Sequence, residues 1–253
     1  MNLIQAIRVV IIWFNGMRTL SDLVQRLAFG ELKGTPFVET GSFEIQKKNL
    51  PTLITYINDA QSTLYTQFPI KSEQVVIQMT PSRNTYSLDD RFAVTNRDGN
   101  PNKYILDNPE KPFDESTLVK ISGITSIDGL PYPINDYHNV RSIHLVDYNT
   151  IEINFPYRYS DKLVVVYQAK PKDFNLDYEI SKFNRLEVPP MYEQAFRALI
   201  ACLALKNMGG GKHNESNAFW AIYQTQCELL RAEGIDSKDY GSINVRPKLN
   251  GWI

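Results

Sequence analysis

Apolar residues recur every three or four positions at both ends of the chain and every second position through its middle. The first periodicity is that of amphipathic helices and the second that of half-buried strands. Leu20, Leu23, Val24 and Leu27 form one helical stripe, opened by Thr19 as N-cap with Asp22 at the capping-box position and ended by Gly30 or Gly34. Residues 30–48 carry no period and read as loop. A second helix opens at Pro51, places Leu53, Ile57, Ala60 and Leu64 on one face, and stops near Phe68-Pro69.

From Ile70 to about Lys170 the period is two, and turn residues punctuate it. Strands are expected at Val75–Met79, Leu118–Ile127, Asn139–Val146, Thr150–Phe155 and Lys162–Tyr167. In the second of these, Leu118, Lys120 and Ser122 sort to one face and Val119 and Ile121 to the other, until Gly123 interrupts. Asp98-Gly99, Asp128-Gly129, Asp147-Tyr148-Asn149 and Tyr159-Ser160-Asp161 supply turns. Helix returns after Leu186. Met191–Met208 carries Phe196, Leu199, Ile200 and Leu203 on one side and a small-residue face of Ala195, Ala198 and Cys202. Gly209-Gly210-Gly211 breaks it. Asn214 or Ser216 then caps a helix in which Phe219, Ile222, Tyr223, Gln226, Leu229 and Leu230 repeat before Gly234.

These elements give an α+β fold. A helical bundle, two helices from residues 19–69 and two from 186–234, holds an inserted antiparallel sandwich or barrel-like β-domain at 70–185. An extended C-terminal arm occupies 235–253 and an apolar segment occupies 1–18. In that segment Leu3, Ile7, Val10 and Phe14 fall at helical a/d spacing, while Val9–Ile12 suits a strand equally well. Six apolar residues interrupted upstream by Arg8, with no small-residue cleavage pattern, do not make a signal peptide. Met17, directly before the Thr19 cap, is an alternative start. An ordered segment of this kind must bury its stripe against the core or a neighbouring subunit. No stretch reaches the roughly 20 apolar residues of a membrane span.

Charge and composition narrow the function. The 253 residues carry 27 Lys+Arg against 28 Asp+Glu, a net charge of −1, which excludes a general basic footprint for nucleic acid. Two cysteines, Cys202 and Cys227, lie in helical sequence and read as core residues. A zinc site joining them to His213 is conceivable, but the three lack local ligand spacing. Gly209-Gly-Gly-Lys212 lacks phosphate-loop spacing, and Asp89-Asp90 sits in turn-rich sequence, as do Asp128, Asp136 and Asp147. No nucleophile–base pair is present, so no enzyme and no cofactor is expected. The tail ends on Leu249-Asn-Gly-Trp252-Ile253 after Arg246-Pro-Lys248. It either folds back on the core or docks another chain, since Trp and Arg are frequent interface anchors. Tyr132, Tyr137, Tyr157 and Tyr159 leave open a carbohydrate- or host-recognising module, or pack at the ends of the β-domain.

The order helix, helix, β-domain, helix, glycine turn, helix, arm resembles the head-to-tail adaptor proteins of short-tailed bacteriophages. Leu53-Ile-Thr-Tyr-Ile-Asn-Asp-Ala-Gln-Ser-Thr-Leu-Tyr-Thr-Gln-Phe68 is similar to that family's opening helix. Leu186-Glu-Val-Pro-Pro-Met through Leu205-Lys-Asn-Met-Gly-Gly is similar to the helix before its glycine link. Ile134-Asn-Asp136 and Val164–Ala169 resemble strands of its inserted domain, so the likeness spans about residues 50–234. The first 49 residues depart from the compact adaptors. The resemblance implies a structural virion protein without catalysis: a homo-oligomeric, usually dodecameric ring between portal protein and tail nozzle or tail fibre proteins, assembled in the host cytoplasm. DNA would pass through its channel without sequence-specific binding. It also implies that Arg246, Lys248, Leu249, Trp252 and Ile253 dock the portal. The face formed by Ala195, Ala198, Leu199 and Cys202 is a candidate for packing between ring subunits.

Overall fold

A computed structural model describes residues 18–80, 83–156, 161–208 and 212–234. The chain is mixed α+β and divides into a helical unit from its two ends and a β unit over Pro69–Lys172. Each is described by itself.

In the helical unit, α1 (Leu20–Phe29) starts with the full capping box. Asp22 N–H donates to Thr19 Oγ1 and Thr19 N–H to Asp22 Oδ2, at 3.2 and 3.0 Å. Leu20, Leu23, Val24, Leu27 and Ala28 are buried, and Gly30 caps the end. α2 (Leu50–Gln67) has Pro51 in its first turn and ends at the extended backbone of Phe68. A single turn, α3 (Tyr178–Ser181), follows the β unit. A 3₁₀ turn at Pro190–Tyr192 leads into α4 (Glu193–Lys206), and α5 (His213–Ala232) closes the described chain. α4 packs on α2 and α5.

Two expectations change here. Residues 173–185, assigned by sequence to the β-domain, belong with the helices. Phe174 exchanges two hydrogen bonds with Asn58 of α2, and Leu20 N–H donates to Asn184 O at 3.1 Å. Ser216 is not a cap. Lys212 occupies the N-cap position without a side-chain bond, and Ser216 lies buried one turn in, donating to Cys202 O at 3.0 Å.

The β unit contains β1 (Ser72–Gln78), β2 (Thr85–Ser87), β3 (Ile105–Leu106), β4 (Leu118–Ser126), β5 (Ile143–Asp147), β6 (Thr150–Ile153) and β7 (Lys162–Ala169). They form two antiparallel sheets, ordered β3-β1-β7-β4 and β2-β6-β5, which do not close into a barrel. One apolar cluster takes residues from both, among them Ile77, Tyr86, Ile124, Ile151 and Val165. The strict alternation expected in β4 fails. Register shifts between Leu118 and Lys120 and between Ile121 and Gly123 turn Leu118, Ile121 and Ile124 all inward.

Loops and side chains cover the sheet edges. Tyr132 N–H donates to Ile124 O on the outer edge of β4, and Ile143 N–H donates to Pro133 O on that of β5. On β2 the substitute for a neighbouring strand is a hydroxyl: Tyr104 Oη accepts from Ser87 N–H at 3.0 Å and donates to Ser87 O at 2.9 Å. Such covering leaves little unpaired backbone for edge-to-edge association. Tyr104→Phe is therefore expected to cost about 1.5 kcal/mol, because it orphans a donor and an acceptor together. Urea denaturation followed by tyrosine fluorescence measures it, and an unchanged midpoint would remove the hydroxyl's role.

Candidate functional site

Reactive side chains converge at one place among the described residues, where ligand oxygens of Asp89, Asp90 and Glu115 lie within 4.8 Å of one another. Two short turns create this acidic corner. Asp89 caps the 3₁₀ turn Asp90–Phe92, and Glu115 opens the 3₁₀ turn capped by Asp114. Asp89 is already occupied. Its Oδ1 accepts Arg91 N–H and Arg91 Nε, both at 2.9 Å, and its Oδ2 accepts Nε at 2.8 Å and Nη2 at 2.5 Å. The Arg91 hydrogen bond holds this carboxyl below its usual range against partial burial. Glu115 is pushed the other way, first by burial and then by the charge of Asp89. Asn149 Nδ2 donates to it at 3.2 Å and Tyr148 Oη at 3.4 Å. Both Asp89 oxygens are held by the Arg91 guanidinium of the same turn, and Glu115 ties its own turn to Tyr148 and Asn149, in line with the turn reading of Asp89-Asp90.

The other singled-out groups do not come together. Cys202 and Cys227 are buried, whereas His213 is exposed at the start of α5. Cys202 Sγ lies 3.5 Å from Ser216 Oγ. Cys227 Sγ lies 3.8 Å from Gln67 Oε1, and burial pushes its thiol up. Asp136 and Asp147 hold turns by accepting from His138 N–H and Tyr148 N–H. Tyr132 stacks on Phe155 with ring centroids 5.6 Å apart, while Tyr137, 86% exposed, lies 5.2 Å from the His144 ring. Tyr157 and Tyr159 fall outside the described residues.

Interaction surface is the second kind of site. Ala195, Ala198, Leu199 and Cys202 are all buried within the single chain. The close helix approach that small residues permit takes place inside the protomer, so this face is not free for a second subunit. Arg246, Lys248, Leu249, Trp252 and Ile253 lie outside the described residues.

Two ion pairs that sequence reading did not find are partly buried in the helical unit: Arg26–Glu193 at 2.6 Å and Arg197–Glu31 at 3.2 Å. Beside the first, Arg18, Arg185–Pro190 and Glu193 line a shallow depression.

The sequence repeat of α5 also resolves into two faces. Ser216, Tyr223, Cys227 and Leu230 are buried. Ile222 and Leu229, members of the same repeat, are 40% and 52% exposed. Together with exposed Ala218, Ala221, Thr225 and Ala232 they make an uncharged stripe on the far side of the helix. The sequence signal for it was present: residues at 218, 222, 225, 229 and 232 repeat at helical spacing, one step round from the core set.

The chain matches no protein-family profile and no curated protein. Among the described residues, no helix is long and apolar enough to cross a membrane.

Proposed function

We propose that this chain is a structural virion protein, one subunit of an adaptor ring that joins a portal vertex to a tail and lines the DNA exit channel. The observation that carries the reading is the order of elements: a helical unit made from both ends of the chain, interrupted by a β unit at Pro69–Lys172. On this reading the helical unit makes the ring and portal contacts, and the β unit of two antiparallel sheets is available to tail nozzle or tail fibre proteins. The ring is expected to be dodecameric, and the protein to reside at the head–tail junction of the particle. The pairing of Asp89 with Arg91 and the burial of both thiols support a role without catalysis.

The near-neutral charge of −1 supports it too. A channel lined with phosphate-binding cations would hold DNA through counterion release and resist its passage. The alternative, a sugar-binding β module, needs several rings on one open face. Among the described residues, Tyr132 is stacked on Phe155 and Tyr137 lies against His144, which gives no array of open rings from these two.

The test is native mass measurement and negative-stain imaging of the full chain, alone and mixed with the portal ring encoded by the same genome. Ring-sized complexes on the portal are expected. A chain that stays monomeric in the presence of portal overturns the adaptor reading.

A further inference from the structure

Strand alternation turns Ile143 and Leu145 of β5 toward the core and leaves His144 and Val146 on the other face of the three-stranded sheet. The Tyr137 ring lies against His144, and Val146, 62% exposed, follows two residues further along the strand. Val140, in the loop that leads into β5, is 88% exposed, and Tyr148, just past the end of the strand, is half-exposed. Large side chains in water thus border β5 from the 136–142 loop to the turn before β6, more than isolated surface apolar groups would give.

The loop that presents two of them is tied down. Asp136 N–H donates to Ser142 Oγ at 2.9 Å, and Ser142 N–H donates to Asn139 O at 2.9 Å. Asp136 Oδ1 accepts His138 N–H and Asn139 Oδ1 accepts Arg141 N–H, both at 3.0 Å. A loop already ordered loses little conformational entropy on binding.

The two ends of this stripe are opposite in charge, and four residue steps along β5 put about 13 Å between them. Residues 137–146 hold His138, Arg141 and His144 and no carboxylate. Asp136 is turned back onto the His138 backbone, and Glu152 is the cross-strand neighbour of His144, so Arg141 is the cation of this end. At the other end Asp147 precedes Tyr148, whose hydroxyl reaches Glu115 of the acidic corner. There Asp89, Asp90, Glu115 and Asp147 face one guanidinium, that of Arg91, which hydrogen-bonds Asp89. Burial and the charge of Asp89 push the Glu115 carboxyl up, as befits an acid short of a cation.

A surface that is cationic at one end and anionic at the other matches itself turned end for end. A second copy about a two-fold axis brings Arg141 to the carboxylates twice and Val140 to the Val146 end twice. Parallel alignment would set like charges together, and a partner of single-sign charge would match one end only. We propose that this stripe docks a second copy of the chain, antiparallel along β5, with Arg141 of each copy set on the acidic corner of the other. The contact is independent of the adaptor reading, because a two-fold pair does not by itself close a ring.

The experiment mixes full chain carrying Val140→Cys with full chain carrying Val146→Cys under mild oxidation. Both native thiols are buried, which leaves the new ones reactive. The mixed disulfide is expected to form about tenfold faster than either homodimer, and about tenfold faster than with Gln224→Cys, exposed on α5, in place of Val146→Cys. Homodimers as fast as the mixed product overturn the antiparallel contact, and a mixed product no faster than the Gln224→Cys control overturns the contact altogether. A chain carrying Val140→Cys and Val146→Cys together is expected to close as a dimer. A ladder of longer products makes the contact head-to-tail and overturns the two-fold. As an independent measurement, sedimentation equilibrium of Arg141→Glu and of Asp90→Arg is expected to show self-association weakened at least about tenfold, and the chain carrying both to recover it. A double variant no better than the singles, or an unsubstituted chain with a dissociation constant above about 1 mM, overturns the proposal.

Discussion

Glu31→Ala is expected to lower the stability of the helical unit by about 2–3 kcal/mol, measured by urea denaturation. The carboxylate meets Arg197 Nη1 at 3.2 Å, with side chains 17% and 23% exposed. Arg197 Nε and Glu31 Oε2 are buried with no other partner. The pair is thus held by one contact in a place where water reaches it poorly. Its net contribution is small, because desolvation offsets most of the attraction, but removal of one partner leaves a charge without compensation. The double variant Glu31→Leu with Arg197→Met is accordingly expected to lose less than about 1 kcal/mol, since it strands nothing. If the double variant loses as much as the sum of the singles, the two residues are uncoupled and this account of how Glu31, in the turn after α1, meets α4 fails.

Neither that ion pair nor Arg26–Glu193, whose partners are 167 residues apart, leaves a trace in local sequence pattern. What local pattern does carry, it carries well. The Thr19–Asp22 capping box is read directly from two residues three apart, because its physics is confined to one helical turn. The long strands β4 and β7 are legible for the same reason, as is Gly129, whose φ of 80° suits the Asp128-Gly129 turn. β2 and β3 are not, at three and two residues, too short for a period to show. Tyr104 sustains the outer edge of β2 from outside any regular element, and nothing in its neighbourhood of sequence announces that.

The misplaced boundary at residue 185 has the same origin. Residues 173–185 have no periodicity, and they belong to the helical unit through hydrogen bonds to Asn58, Ser21 and Leu20. α5 is the instructive case for function. Periodicity marks Ile222 and Leu229 as apolar helical positions, but a helix with two apolar faces looks like one with a broad core face. Only the burial of Tyr223, Cys227 and Leu230 says which face is in the core and which is exposed. The acidic corner shows the converse. Asp89 and Asp90 are visible as a pair, and Arg91, the residue that occupies the Asp89 carboxylate, is the very next one after them.

Removal of residues 244–253 is expected to weaken binding to the portal ring at least about 100-fold, the loss that follows when a Trp-centred anchor of roughly 3 kcal/mol is taken away. Under the adaptor reading the tail is the anchor on the portal. Leu249, Trp252 and Ile253 are apolar groups in an otherwise polar stretch, and Arg246 and Lys248 stand beside them. Apolar anchors desolvated in a partner's pocket set the dissociation rate, whereas cations at the rim set association and its salt dependence. Trp252→Ala should therefore account for most of the loss and be insensitive to salt. Arg246→Ala with Lys248→Ala should cost about tenfold at low ionic strength and less at high. The helical unit itself is described to Gly234, where φ of 73° ends α5, so a chain cut at residue 243 keeps every described element. Surface plasmon resonance against immobilised portal rings measures all three variants. A truncated chain that binds as tightly as the full one moves the portal contact off the arm, and leaves the arm's apolar end to be explained by the protein's own core.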